Sequence, residues 1–157
     1  MNGVAEFVVH GEPKGQPRPR AFARKMGNRY VARVYEEGTA EQWKTAIANA
    51  AQPHRFPTPL TGPVKMLLRV EFPRPKSHFR TGKHANELRP DAPFQHTRKP
   101  DADNVAKAVM DAITQISGFW IDDTQVAYLL VQKRYAEPGC AGRTRIQIAA
   151  LEEQTNG

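Results

Sequence analysis

In residues 64–72, apolar side chains recur at every second position, and Pro63 and Pro73 bracket the segment. The recurring residues are Val64, Met66, Leu68, Val70 and Phe72. Successive side chains of a β-strand point to opposite faces, so a period of two predicts a strand with one face buried. This half-buried strand is the clearest element in the chain.

Two segments have helical periodicity. Thr39-Ala40-Glu41-Gln42 matches a capping box and predicts a helix to about Ala51, which Pro53 stops. A second helix is predicted from about Asp103 to Ser117, with Gly118 as its C-terminal stop. The apolar stripe of this second helix consists of Val105, Val109, Ala112, Ile113 and Ile116.

Four more segments have the composition of strands: 4–10, 29–35, 125–135 and 143–151. Residues 125–135 are apolar at successive positions, which is typical of a central strand. The order of elements predicts an α+β fold, in which one domain over residues 1–157 has a mixed sheet packed by two main helices.

Other segments lack periodicity. Residues 12–20 are rich in proline and are predicted to be extended and stiff, neither helix nor strand. Residues 74–98 are expected to form a long basic loop, and residues 152–157 a flexible tail. Three histidines in the loop lack metal-ligand spacing and are interpreted as surface or phosphate contacts: His78, His84 and His96.

Charge and composition limit the function. The net charge of +7 and the pI of about 9.8 favour an anionic partner such as nucleic acid, although a basic balance can also serve solubility alone. Cys140 is the only cysteine, which excludes an internal disulfide framework. Without a long apolar segment we expect a cytoplasmic protein that has neither a signal peptide nor a membrane span.

Carboxylates gather in two short segments of this basic chain. Asp101 and Asp103 are two residues apart in predicted extended chain, so both can face one cation, and Lys107 follows Asp103 by one helical turn. Asp122 and Asp123 precede the strand after the helix. Oxygen ligands without histidine or cysteine suit Mg²⁺ or Mn²⁺, so the pattern suggests metal-dependent phosphodiester chemistry.

Structural roles remain as alternatives. Asp103 could only cap the helix, and Asp122-Asp123 could be a turn. A calcium loop is excluded because Val105 and Ala106 stand where its polar residue and glycine belong. Asp111 is interpreted as an i,i+4 partner of Lys107 rather than a ligand.

Residues 99–107 (KPDADNVAK), followed by residues 119–126 (FWIDDTQV), resemble the signature of the RusA-type Holliday junction resolvases, which are often borne by prophages. The resemblance implies a homodimeric α+β endodeoxyribonuclease that cuts four-way DNA junctions with Mg²⁺ and needs no small-molecule cofactor. It implies Asp101, Asp103 and Asp123 as catalytic metal ligands, and Lys107 as the catalytic lysine. Asp122 matches a further acidic position and is implied as an additional metal ligand. The most compact members of the family lack an equivalent of the long basic loop at 74–98.

Basic residues in two groups are predicted to contact DNA phosphates. They are Lys14, Arg18, Arg20, Arg24, Lys76, Arg80, Lys83, Arg98 and Lys99. Paired nicks in strands of like polarity match a two-fold dimer with one site per subunit. The alternatives are a junction-binding protein without nuclease activity and a nucleotidyltransferase, for which the chain is short and lacks a glycine-rich phosphate loop.

Overall fold

The computed structural model describes residues 3–16, 19–36 and 40–156 and contains six strands and two α-helices in these ranges. The strands are β1 (Val4–His10), β2 (Pro19–Met26), β3 (Arg29–Glu36), β4 (Val64–Phe72), β5 (Val126–Tyr135) and β6 (Arg143–Ala150). The helices are α1 (Glu41–Ala51) and α2 (Ala102–Ile116). In the described ranges, neither helix is long and apolar enough to cross a bilayer.

Four strands form a mixed sheet in the order β1-β6-β4-β5. β6 pairs antiparallel with β1 and β4, whereas β4 and β5 run parallel. β2 and β3 form a separate antiparallel hairpin, which turns at Gly27 with a φ of 65°. The α+β fold with a mixed sheet and two helices is therefore confirmed.

The core lies between the two helices and one face of the sheet. The alternate residues of β4, including Met66 and Leu68, are buried together with Trp43 and Ile47 of α1. The stripe of α2 packs into the same cluster and includes Val109. Each buried aliphatic side chain contributes about 1.5–3 kcal/mol, so this stripe fixes the rotation of α2 and sends its polar face outward.

Both helices start near their predicted positions. Ala40 occupies the N-cap position of α1 without a side-chain capping bond, and Thr39 lies outside the described residues. The N-cap position of α2 is Asp101, in an extended conformation. The alternative that Asp103 is the N-cap is therefore wrong, because Asp103 lies within the first turn.

Two predictions about strands are wrong. β5 is an edge strand rather than a central one, and Tyr128, Leu129 and Leu130 are 46%, 43% and 47% exposed. The apolar residues of β5 therefore indicate a preference for strand conformation, but they do not show that both faces of the strand are buried. Residues 12–20 are predicted not to be a strand, but strand β2 begins at Pro19 and runs to Met26. Proline is tolerated there because the first residue of a strand can lack an amide donor.

The loop at 74–98 is anchored to the sheet at both ends and has two short 3₁₀ turns. Arg74 donates to the main-chain oxygens of Ala136 and Pro93 at 3.1 and 2.8 Å. Near the end of the loop, the main-chain oxygen of Phe94 accepts the amide of Tyr135 at 2.9 Å. The loop therefore lines the C-terminal part of β5 and leaves its N-terminal part open.

Two of the loop histidines are buried, so their interpretation as surface residues is wrong. His96 stacks on Phe72 with ring centroids 3.7 Å apart, and His78 meets Tyr135 edge-on at 4.6 Å. Burial, and after it nearby cationic side chains, lowers the pKa of both histidines. Neutral imidazole can pack like an aromatic ring, which spacing along the chain does not reveal. His84 stays at the surface beside Glu87.

Candidate functional site

The polar face of α2 carries the first part of the candidate site. Asp103, Lys107 and Asp111 are four residues apart and follow one another along one side of the helix. Nζ of Lys107 lies 3.7 Å from the carboxylate of Asp111, which confirms the predicted i,i+4 pair. The side chain of Lys107 is 60% exposed, so it remains accessible to a ligand.

The second part is a 3₁₀ turn, Asp123–Gln125, that directly precedes β5. The carboxylate of Asp122 accepts the amide of Thr124 at 2.8 Å, and Oε1 of Gln125 accepts the amides of Ile121 and Asp122 at 2.7 and 2.9 Å. Together these bonds form a capping box. The hydrogen bond from the Thr124 amide lowers the pKa of Asp122. The turn suggested as an alternative for this pair of aspartates is therefore present.

The turn is fixed to a distant part of the chain. Nε2 of Gln125 donates to the main-chain oxygens of Leu60 and Gly62 at 2.8 and 2.9 Å. The amide of Leu60 in turn donates to the oxygen of Phe119 at 2.9 Å, and Trp120 donates from its indole to the hydroxyl of Thr114 at the same distance. The segment between α2 and β5 is thus held from both sides.

Asp123 is the carboxylate that this turn directs towards α2. Burial raises its pKa, followed by its hydrogen bond with Asp122 and by the negative charges of Asp122 and Asp111, whereas Lys107 opposes the rise. These shifts require the charges of Asp111 and Lys107 to lie within electrostatic reach of Asp123. The structure therefore places Asp123 within electrostatic reach of the Lys107–Asp111 pair.

Asp101 lies at the N-terminal end of α2. It precedes α2 and is exposed, and its charge acts on Lys133 of β5. Among residues 3–16, 19–36 and 40–156, no three histidine, cysteine, aspartate or glutamate side chains form a group that could hold a metal ion.

The chemistry of the donors nevertheless fits a hard divalent cation. The carboxylates along α2 and its following turn are oxygen donors, and no histidine or cysteine is among them. The raised pKa of Asp123 reflects partial burial and like charges that a cation would offset.

The proline-rich segment before β2 reaches this site. The amide of Gln16 donates to the main-chain oxygen of Asn104 at 2.9 Å. A Cβ atom added to Gly15 would lie 2.7 Å from Cβ of Pro100 and 3.2 Å from Cβ of Asn104. Only glycine allows the segment to approach the start of α2 so closely.

The predicted DNA contacts divide into three groups. Lys76, Lys83, Arg98 and Lys99 are exposed. Lys14 and Arg80 are also exposed but lie 3.5 and 3.0 Å from the carboxylates of Glu12 and Glu87. Arg18 lies outside the described residues, and so do the side chains of Arg20 and Arg24 in β2.

Two positions of structural importance were not predicted. Gln125 closes the capping box of the turn, and Lys133 contacts the segment before Asp101. Gln125 stands three residues after Asp122, the spacing of a capping box, so this pattern in the sequence could have identified it. Nothing in the local pattern around Lys133 indicates its partner, because the contact joins two distant segments.

Two comparisons with known proteins identify the family of the chain. The family model described as endodeoxyribonuclease RusA matches residues 10–149. A protein of Bacillus subtilis (strain 168), named as the uncharacterized protein YqaN, is 36% identical over 132 residues, which cover 84% of this chain and 88% of YqaN. The chain belongs to the RusA endodeoxyribonuclease family.

Proposed function

We propose that the protein is a Mg²⁺-dependent Holliday junction resolvase, which cuts four-way DNA junctions by paired symmetric nicks in recombination and repair. One observation carries the proposal: in a chain of the RusA family, a turn fixed by Gln125 holds Asp123 within electrostatic reach of Lys107 on the polar face of α2. A carboxylate and an accessible lysine at one place suit phosphodiester hydrolysis.

In this proposal Asp101, Asp103 and Asp123 hold the metal ion, and Asp122 supports Asp123 from the capping box. Mn²⁺ is expected to substitute for Mg²⁺. When bound, the ion supplies an activated water and offsets negative charge on the phosphate. Lys107 donates to the phosphate oxygens as their charge develops, and Asp111 keeps the lysine oriented through their contact at 3.7 Å. The products are 5′-phosphate and 3′-hydroxyl ends.

The exposed basic residues bind the DNA backbone. Arg98 and Lys99 lie three and two residues before Asp101, so phosphates that they contact lie close to the proposed metal ligands. Such contacts provide affinity with little dependence on base sequence, and the affinity falls with salt. Selectivity for a junction then comes from the spacing of two active sites.

We infer that the active species is a homodimer and that the open part of β5 forms its interface. Tyr128, Leu129 and Leu130 are exposed on an edge strand, and residues 126–131 contain no charged side chain in a chain of net charge +7. An exposed apolar edge favours pairing with another strand, and an uncharged one avoids repulsion between two basic subunits. Two subunits related by two-fold symmetry supply two nicks.

The test is cleavage of a labelled synthetic four-way junction and of a linear duplex in Mg²⁺, with the wild type, Asp103→Asn and Asp91→Asn. Asp91 is an exposed aspartate of the loop and serves as the matched control. We expect paired nicks in the junction alone, lost in Asp103→Asn with binding retained, and unchanged in Asp91→Asn. Tight binding by the wild type without cleavage in Mg²⁺ or Mn²⁺ would instead establish a junction-binding protein.

A further inference from the structure

Lys133 is a partly buried lysine near the end of β5 with a side chain that contacts the protein itself. Its Nζ donates to the main-chain oxygen of Arg98 at 2.7 Å. Its position in β5 is opposite Val70, which is fully buried under the helices. Lys133 therefore lies on the side of the sheet that carries α2 and not on the bare side.

The backbone of Lys133 binds the same loop. Its carbonyl oxygen accepts the amide of His96 at 3.1 Å, and Gln95 forms a β-bridge with Arg134. The aromatic ring of Phe72 lies below Nζ at 5.9 Å and also stacks on His96. Main chain and side chain of Lys133 thus fix residues 96–98 at two points.

Arg98 is followed two residues later by Pro100 and then by Asp101, which is the first residue of the proposed metal site. The contact with Nζ therefore anchors the short segment that carries Asp101. The charge of Lys133 also reaches Asp101: burial lowers the pKa of the lysine, and Asp101 opposes this change. The positive charge of Lys133 therefore lies within electrostatic reach of the Asp101 carboxylate.

We propose that Lys133 is a positioning residue of the nuclease site, which acts through residues 98–101 to hold Asp101 where a divalent cation can be bound. The inference rests on the proposed function, because it needs Asp101 as a ligand. A catalytic role is not assigned to Lys133, since its amine is occupied by the oxygen of Arg98. Partners that orient metal ligands typically affect affinity for the metal or activity by about 10- to 100-fold.

The experiment compares Lys133→Met, which keeps most of the apolar stem, with Lys133→Arg, which keeps a donor and a charge. Lys65→Met is the control, because Lys65 is also a partly buried lysine of the same sheet but lies outside the site. Three properties are measured: single-turnover cleavage of a bound four-way junction in Mg²⁺, the Kd for the junction in Ca²⁺, and amide hydrogen exchange of the metal-free protein.

For Lys133→Met we expect cleavage to slow by about 10- to 100-fold with a Kd within about twofold of the wild type. Exchange should accelerate at the amides of residues 97–99, 101 and 102, since Pro100 has no amide hydrogen, and stay unchanged at residues 66–70 of β4. Lys133→Arg should recover most of the rate, and Lys65→Met should match the wild type. A general rise in exchange, or a loss of junction affinity that accounts for the slower rate, would reduce Lys133 to a stabilising or DNA-binding residue.

The hydrogen exchange separates this inference from the proposed function. If the wild type cuts no junction, the proposed function is wrong, and exchange at residues 97–102 still decides whether Lys133 holds the segment. If the wild type cuts and Lys133→Met cuts equally fast, or if exchange at those residues is the same in both proteins, the positioning role is wrong.

Discussion

The side-chain amide of Gln125 donates to the main-chain oxygen of Leu60 at 2.8 Å and so joins the turn that carries Asp123 to the segment before β4. The same amide group also donates to Gly62 and accepts two amides within the turn. One uncharged side chain therefore holds the position of the carboxylate that faces Lys107.

Replacing Gln125 by methionine should destabilise the fold by about 1–2 kcal/mol, because four hydrogen bonds of a partly buried side chain are lost. Urea denaturation measures this as a lower midpoint with an unchanged slope. Gln115→Met on the exposed side of α2 is the control and should stay within about 0.5 kcal/mol of the wild type. Equal midpoints for the two variants would contradict the role given to Gln125.

Asp123→Asn should abolish cleavage without weakening the fold. Its pKa is raised by burial and by the charges of Asp122 and Asp111, so loss of its own charge relieves an unfavourable interaction. We expect a thermal midpoint equal to or above that of the wild type, and a cleavage rate lower by more than about 100-fold, since loss of a ligand should exceed loss of its supporting contacts. A fall in the thermal midpoint would show that the carboxylate stabilises the turn instead.

A methyl group at Gly15 should disturb both the fold and the site. The added Cβ would lie 2.7 Å from Cβ of Pro100, and the proline ring has little freedom to move. Gly15→Ala should cost about 1–3 kcal/mol and slow cleavage, because the segment around Asp101 must shift. Gly62→Ala is the matched control, since nothing lies within 4 Å of its added Cβ. Comparable midpoints in calorimetry would contradict the close approach.

Stability should fall as the pH is lowered below about 6.5, the ordinary pKa of histidine. Burial holds the pKa of His78 and His96 below that value in the folded protein, so the unfolded chain binds more protons between the two values. The stabilisation is complete above pH 6.5 and is lost as the pH falls towards the folded pKa. Urea midpoints from pH 7.5 to 5 measure the loss.

His96→Phe provides the control for this pH effect, because phenylalanine retains the stacking on Phe72 and cannot be protonated. The variant should reduce the dependence of the urea midpoint on pH over the same range. If His96→Phe keeps the full pH dependence of the urea midpoint, other titratable groups must cause that dependence.

Leu130→Glu should separate the two subunits, since two carboxylates would face one another near the axis of a β5–β5 interface. Sedimentation velocity should report a shift from dimer to monomer, and paired nicking should give way to single nicks. A wild-type monomer at micromolar concentration would contradict the interface, and a dimer unaffected by Leu130→Glu would move it to another surface.

The elements with regular periodicity could be predicted from the sequence. The alternation in β4 and the apolar stripe of α2 each specify the buried face of one element, so their residues are identifiable without a structure. The position of β5 at the edge of the sheet could not be predicted, because the order of strands depends on contacts between segments that are distant in the sequence. The same limit applies to His96, which is buried by residues far away in the chain.

For the candidate site, the sequence predicts which residues carry chemistry but not the distances between them. The spacing of Asp101 and Asp103 predicts that they act together, whereas the position of Asp123 relative to Lys107 depends on how the segment after α2 is tied to Leu60. The roles of these residues in metal binding stay predictions until cleavage is measured.

Strand β5 connects the two ends of the site, since the turn with Asp123 precedes its first residue and Lys133 lies near its end. Its parallel pairing with β4 fixes the position of both along one rigid element. Deletion of one residue within β5 would turn every following side chain to the opposite face and remove Lys133 from Arg98. In related proteins, changes of length should therefore occur in the loop at 79–92 and be absent between Asp123 and Lys133.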